Sequence, residues 1–296
     1  MYKVKTLSEN GLSFIELQNA NQTTTAKICL DQGARLQELK FNGVYLIKEQ
    51  PSFDYASSYA SSILFPFASR IKEGKYRFQG VDYQLNPNDA GKSALHGLVY
   101  NKKFDLFEPE EHQHCCYATF NYYEYDLSEG FPFTYIISVT YTLFEDHLRI
   151  NVSVKNTDDK SFPFTLGWHP YFNCSDFKNS NLSFNSDKKV LFDENLITKE
   201  IVDEKSPEVF NLENKQLDDC FILNDNKVGF ATPEYKIELT QSAQENFLQL
   251  YTPKDFPVIA VEPMTGISDT FNNKVGIQVL EPGRTFSLNW NLKLIN

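Results

Sequence analysis

Period-2 alternation of apolar and polar positions recurs along this chain. It is clearest near the C-terminal end, where Phe286, Leu288, Trp290, Leu292 and Leu294 alternate with Thr285, Ser287, Asn289, Asn291 and Lys293, the pattern of a strand with one face buried. KYRF and VDYQL flank Gln79-Gly80, and TYIISVTYTLF is followed by HLRINVSVKN across Glu145-Asp146. Both read as antiparallel hairpins. Helical i, i+3, i+4, i+7 spacing is scarce, whereas 25 Phe and 16 Tyr supply strand-forming aromatics throughout. The pattern predicts an all-β fold. No Pro-, Gly- or Ser-rich linker and no charge block divides residues 1–296, so one domain is expected, a large antiparallel β-sandwich whose concave sheet face and bordering loops carry the binding residues.

Charge narrows the partners. Asp plus Glu number 39 against 28 Lys plus Arg, a net charge of −11. That balance argues against nucleic acid or an anionic membrane surface as an obligate partner, since both need clustered positive charge. No apolar run approaches the ~20 residues that span a bilayer, and the first thirty residues hold no apolar block of signal-peptide length. A soluble, cytoplasmic protein is expected. Cys29, Cys115, Cys116, Cys174 and Cys220 are an odd number without a C-x-x-C pair, so a disulfide framework is not.

The five histidines can be weighed one by one. His96 lies in Ala94-Leu95-His96-Gly97, after the turn-rich Asn86–Gly91, and reads either as a functional loop histidine or as surface polarity. His169 lies in Trp168-His169-Pro170-Tyr171-Phe172-Asn173, where aromatics and proline can wall off a dry pocket; the alternative is a satisfied core histidine. Glu262 follows the apolar run Phe256–Val261. A carboxylate there suffers desolvation unless it is paired or used, and hydrogen bonds from backbone amides would be the structural explanation. Asp218 and Asp219 are adjacent, so on a strand they face opposite sides and one alone enters a given site; a solvated turn is the other reading.

Other signals fail. Gly91-Lys92-Ser93 resembles the end of a phosphate-binding loop, but the required first glycine falls on Asn86. His112-x-His114 on a strand would aim both rings at one face beside Cys115-Cys116, yet no second ligand pair completes a metal site, and a strand with polar edges is expected. No G-x-S-x-G elbow exists, and His147 reads as a hairpin-tip residue.

In order along the chain, these segments resemble the aldose 1-epimerase (mutarotase) family. Leu64–Tyr76, containing Ser69-Arg70, is similar to its arginine motif, Ala94–Gly97 to its first histidine motif, and Trp168–Asn173 to the second. Leu217-Asp218-Asp219-Cys220-Phe221 resembles the aspartate motif and Glu262-Pro263-Met264-Thr265-Gly266 the glutamate region. Gly33–Leu36 and Leu280–Gly283 extend the likeness over nearly the whole chain. The resemblance implies a sandwich of the galactose mutarotase type with a sugar pocket, His169 as general acid, Glu262 as general base, and Arg70, His96 and Asp218 binding the sugar. Acid and base chemistry of that kind needs no metal and no cofactor. With five arginines in the chain, Arg70 alone of them assigned to the pocket, and a net charge of −11, the expected partner is a neutral hexose rather than a hexose phosphate. Ser69 stands where the family often has Asn, and its hydroxyl lacks the reach and donor pair of an amide. Leu98 stands where galactose-specific members tend to have a second glycine.

The residue types agree with that chemistry. Interconverting aldose anomers needs one group to take a proton from the C1 hydroxyl and another to give one to the ring oxygen. An ionised Glu262 held by cationic neighbours, facing a protonated His169 whose charge Asp218 balances, would start the reaction. A glycoside hydrolase or lyase using Glu262 with Asp218 or Asp269, and a non-catalytic carbohydrate-binding protein, are the alternatives on the same scaffold.

Overall fold

The computed structural model describes residues 1–50 and 52–295. Five N-terminal strands, Lys3–Glu9, Leu12–Gln18, Thr25–Cys29, Arg35–Phe41 and Val44–Ile47, form a meander in chain order. A second sheet of 15 strands runs from Asp105–Glu111 through Thr285–Leu294 to the central strands Asp218–Ala231, Asn246–Tyr251 and Val258–Met264. Its strand pairings are antiparallel, which suits a chain rich in short turns. The expectation of a large antiparallel sandwich holds.

The C-terminal strand follows its sequence pattern. It lies between His147–Asn156 and Lys236–Gln241, with Leu288, Trp290 and Leu292 buried and Thr285, Ser287 and Lys293 exposed. Lys75–Phe78 pairs with Val81–Gln84, and Tyr135–Leu143 with His147–Asn156, so both hairpins form as expected. Helix is confined to short pieces, such as Tyr55–Ser58 and Thr270–Asn273. Among the described residues no helix is long and apolar enough to cross a membrane.

The two large sheets share one core. Ile15, Ile28 and Leu36 of the meander cluster with Phe120, Val139 and Trp290 of the larger sheet, and each such side chain contributes roughly 1.5–3 kcal/mol on burial. Tyr141 crosses between them and donates its hydroxyl to the Ala34 carbonyl at 2.8 Å. All five cysteines are free thiols.

The histidine pair 112 and 114 corrects the expectation made for it. The strand stops at Glu111 and the next starts at Cys116, so both rings sit in the intervening turn. His112 Nε2 meets Glu110 at 2.9 Å instead of sharing a strand face with His114. His147 opens its strand at the hairpin end, stacked on Phe144.

Candidate functional site

Three neighbouring central strands set one wall of a cavity of about 220 Å³. Asp218 pairs with Tyr251, and Gln249 with Glu262, so the alternating side chains Asp218, Gln249, Tyr251 and Glu262 share the face that lines the cavity. Asp219 turns to the opposite face, where it meets Lys189 at 2.7 Å. The adjacent aspartates therefore divide between site and surface, as their spacing required.

His169 reaches Glu262 by register. Gly167 pairs with Met264 and Tyr171 with Ala260; the same register carried across the break at His169-Pro170 sets His169 opposite Glu262. Its Nε2 stands 3.5 Å from Glu262 Oε1. Tyr171 stacks on the His169 ring at 4.9 Å and 21°, fixing the imidazole plane.

Two loops close the other side. Arg70 begins a short strand paired with Ser93–Leu95, and the His96 amide donates to the Ser69 carbonyl at 2.9 Å. Tyr59, Ser69 and His96 all line the cavity with positive φ, at 52°, 57° and 60°. That conformation is costly without glycine and concentrates where a site fixes side-chain direction. Gly97 has φ 78°, and a Cβ there would stand 2.2 Å from the Phe65 carbonyl oxygen; this close approach holds the His96 loop against the segment leading to Arg70. The His96 ring lies 4.9 Å from Tyr59 and 5.0 Å from His169.

Arg70, His96, His169, Asp218 and Glu262 thus converge on one cavity. Sequence reasoning missed Gln249 and Tyr251, whose strand carries no motif, and the apolar wall of Phe192 and Leu196. Period-2 reading of Asn246–Tyr251 beside Glu262 was the signal available for the first two.

The charged groups differ in their company. Arg70 Nε donates to Asp89 Oδ2 at 2.7 Å, and Gln249 Nε2 donates to Asp218 Oδ1 at 2.8 Å. Glu262 is 2% exposed and His169 4%. Among the described residues His169 Nδ1 has no hydrogen-bond partner, and its Nε2 meets Glu262 Oε1 at 3.5 Å, so an imidazole rather than a set of backbone amides faces the Glu262 carboxyl. Burial raises its carboxyl well above the usual range, Asp218 adds to the rise, and Arg70 opposes it. Burial lowers His169 to about 3. His96 falls well below its ordinary value through burial, then through His169 and Arg70. Burial raises Asp218, against the pull of Arg70.

Two expectations change accordingly. Desolvation outweighs the cationic neighbour at Glu262, so the free pair favours a protonated carboxyl beside a neutral imidazole. The carboxyl group facing His169 is Glu262, while Asp218 is tied to Gln249.

Comparison with known proteins gives a concordant picture. A family model described as Aldose 1-epimerase matches residues 13–293. The uncharacterised protein YihR of Escherichia coli K12 is 26% identical over 273 residues, 88% of this chain and 87% of that protein. The aldose 1-epimerase of the same organism is 27% identical over 202 residues, 65% of this chain and 55% of that enzyme. A galactose mutarotase-like protein from Clostridium acetobutylicum superposes with a TM-score of 0.89 at 19% identity, covering 100% of this chain and 99% of that one. Galactose 1-epimerase from Lactobacillus acidophilus NCFM does so with 0.82 at 18%, again over 100% and 99%. The sandwich is of the galactose mutarotase type.

Proposed function

The chain belongs to the aldose 1-epimerase family, and from that premise we propose that it interconverts the α and β anomers of a neutral hexose by opening and reclosing the sugar ring. The observation that carries this reading is the buried pair His169 and Glu262, 3.5 Å apart, with the His169 Nδ1 left without a partner among the described residues. Groups without competing partners are available to exchange protons with a bound hydroxyl and ring oxygen.

In the proposed reaction Glu262 takes the C1 hydroxyl proton while His169 gives one to the ring oxygen. The C1 to ring-oxygen bond breaks and an open-chain aldehyde forms. That step leaves Glu262 protonated and His169 neutral, the proton arrangement that burial favours in the free site. Rotation about the C1 to C2 bond presents the other aldehyde face, and reverse transfers close the ring. A cyclic sugar entering the resting site is attacked after the stored proton passes from Glu262 to His169. Arg70, His96 and Asp218 hold the hydroxyls, and no step requires a metal or cofactor.

A neutral sugar fits the lining better than a sugar phosphate. Among the described residues that line the cavity, Arg70 is the sole side chain with a permanent positive charge, beside the carboxyl groups of Asp218 and Glu262. A phosphate dianion is best met by several forked or clustered cations. A sugar-binding protein without catalysis would need the pocket but not the buried acid and base, which favours the enzyme.

Polarimetry of freshly dissolved α-glucose, α-galactose and related aldoses tests the proposal. The protein should speed the approach to equilibrium rotation in proportion to its concentration. Rates equal to buffer with every aldose, despite sugar binding by calorimetry, would leave the binding reading in its place.

A further inference from the structure

We propose that Asp89, which stands outside the cavity, is a positioning residue that holds the Arg70 guanidinium away from Asp218 and so keeps the sugar-binding side of the cavity open. The inference rests on the sugar-binding reading of that cavity. Arg70 has carboxyl groups to choose between: Asp218 shares the cavity lining with it, and Asp89 lies outside that lining. The pair formed is the outer one, at 2.7 Å through Nε. It uses the single Nε–H and leaves both terminal amino groups of Arg70 without a protein partner among the described residues. Asp218 is tied separately to Gln249 at 2.8 Å. Each charge is therefore tethered to its own partner rather than to the other. A forked Arg70–Asp218 pair would occupy the donors and acceptors that sugar hydroxyls need.

The turn around Asp89 is built to hold this position. The Asp89 amide donates to the Ser93 carbonyl at 3.0 Å, and the Lys92 amide donates back to the Asp89 carbonyl at 2.9 Å. Ser93–Leu95 pairs with Arg70–Lys72, so the turn folds Asp89 back against Arg70. Asn88 locks the same turn to the site: its Oδ1 accepts from the Leu95 amide at 2.7 Å, and its Nδ2 donates to the Tyr59 hydroxyl at 3.1 Å. Leu95 precedes His96, and Tyr59 packs on the His96 ring. One turn thus registers Arg70 and His96 against each other.

The test measures mutarotation kinetics and calorimetric sugar binding for Asp89→Ala, Asp218→Asn and the double variant. Asp89→Ala should raise KM and Kd about tenfold with kcat within about threefold, the scale of losing a well-placed charged hydrogen bond. In the Asp218→Asn background the same change should cost less than about twofold, because the carboxylate that captures the freed arginine has been removed and Glu262, the other cavity carboxyl, is held protonated by burial. Asp89→Glu should recover most of the affinity. An equal loss in both backgrounds, a fall in kcat at constant KM, or no change would overturn the proposal. Wild-type protein that neither binds sugar nor speeds mutarotation would instead refute the functional reading. The Arg70 Nε–H signal in a nitrogen-15 NMR spectrum then decides the tether by itself. A paired signal that is lost in Asp89→Ala, with Asp218→Asn altering what replaces it, supports the tether; a signal indifferent to Asp89 overturns it.

Discussion

Within the cavity Arg70 and Asp218 each have a partner of their own, Asp89 at 2.7 Å and Gln249 at 2.8 Å. His169 and Glu262 instead face each other at 3.5 Å, buried, with His169 Nδ1 unpartnered among the described residues. On the proposed function, the difference separates two tasks. Groups that bind hydroxyls need fixed directions, which neighbouring hydrogen bonds provide. Groups that exchange protons need a free lone pair or proton, and a tight structural bond would pin both. Dry surroundings have a second effect: they push the carboxyl up and the imidazole down, so the two affinities for a proton approach and cross.

The largest test of this division is kinetic. Glu262→Gln and His169→Asn should each lower kcat by ~10² to 10⁴-fold while sugar binding survives, since the amides keep shape but cannot carry the proton. Near-wild-type turnover in either variant removes that residue from the reaction; a larger loss for His96→Asn than for His169→Asn would show the two histidines reversed. Next in size is charge selection, where kcat/KM for glucose should exceed that for glucose 6-phosphate by at least about tenfold, given one cavity arginine. A preference for the phosphate that weakens with added salt would contradict the assignment of a neutral substrate.

The pair should also shape stability against pH. His169 has a folded value near 3, below its ordinary 6.5. Between those values the unfolded chain binds the extra proton, so stability falls as pH falls from about 6.5 to about 3. Glu262 is raised, so above its ordinary 4.5 the unfolded chain loses a proton that the folded chain retains, and stability falls as pH rises toward the folded value. Glu262→Gln should erase that second slope and stabilise the protein by ~1 kcal/mol near pH 7, activity exchanged for stability. Denaturant unfolding across pH checks it, and a destabilised variant would show that the carboxylate is paired after all. The smallest effect serves as a control. Lys189 meets Asp219 on the face away from the cavity, so Lys189→Ala should change stability by less than ~1 kcal/mol and leave KM unmoved. A shifted KM would mean that the two faces communicate.

How far the sequence carried this picture depended on which physical scale fixed each feature. The strand pattern was legible because it is local: Leu288, Trp290 and Leu292 bury where alternation put them. The burial of Glu262 was legible from the apolar run before it. The division of Asp218 from Asp219 followed from strand geometry, but which of them entered the cavity depended on pairing with Tyr251 and Leu250. Gln249 and Asp89 were not legible, since one needs the neighbouring strand and the other a turn folding back. His112 and His114 misled because the strand ends at Glu111, short of both of them. The proton arrangement of Glu262 and His169 could not be read from residue type at all, because burial decides it.

The register that sets His169 opposite Glu262 also bears on how the protein assembles. These two stand 93 positions apart in the chain, and Arg70 is farther still from Glu262, so no local fragment contains the site. Long loops must close before any of its geometry exists, and such topologies fold slowly. The cavity is therefore a property of the completed fold, and a sugar bound there as proposed would act as a clasp on the whole molecule. At a concentration a hundred times its Kd the sugar should add about 2.7 kcal/mol to global stability. Amide exchange would register it as joint slowing along Asp218–Ala231, Asn246–Tyr251 and Val258–Met264, far beyond the residues in contact with the ligand.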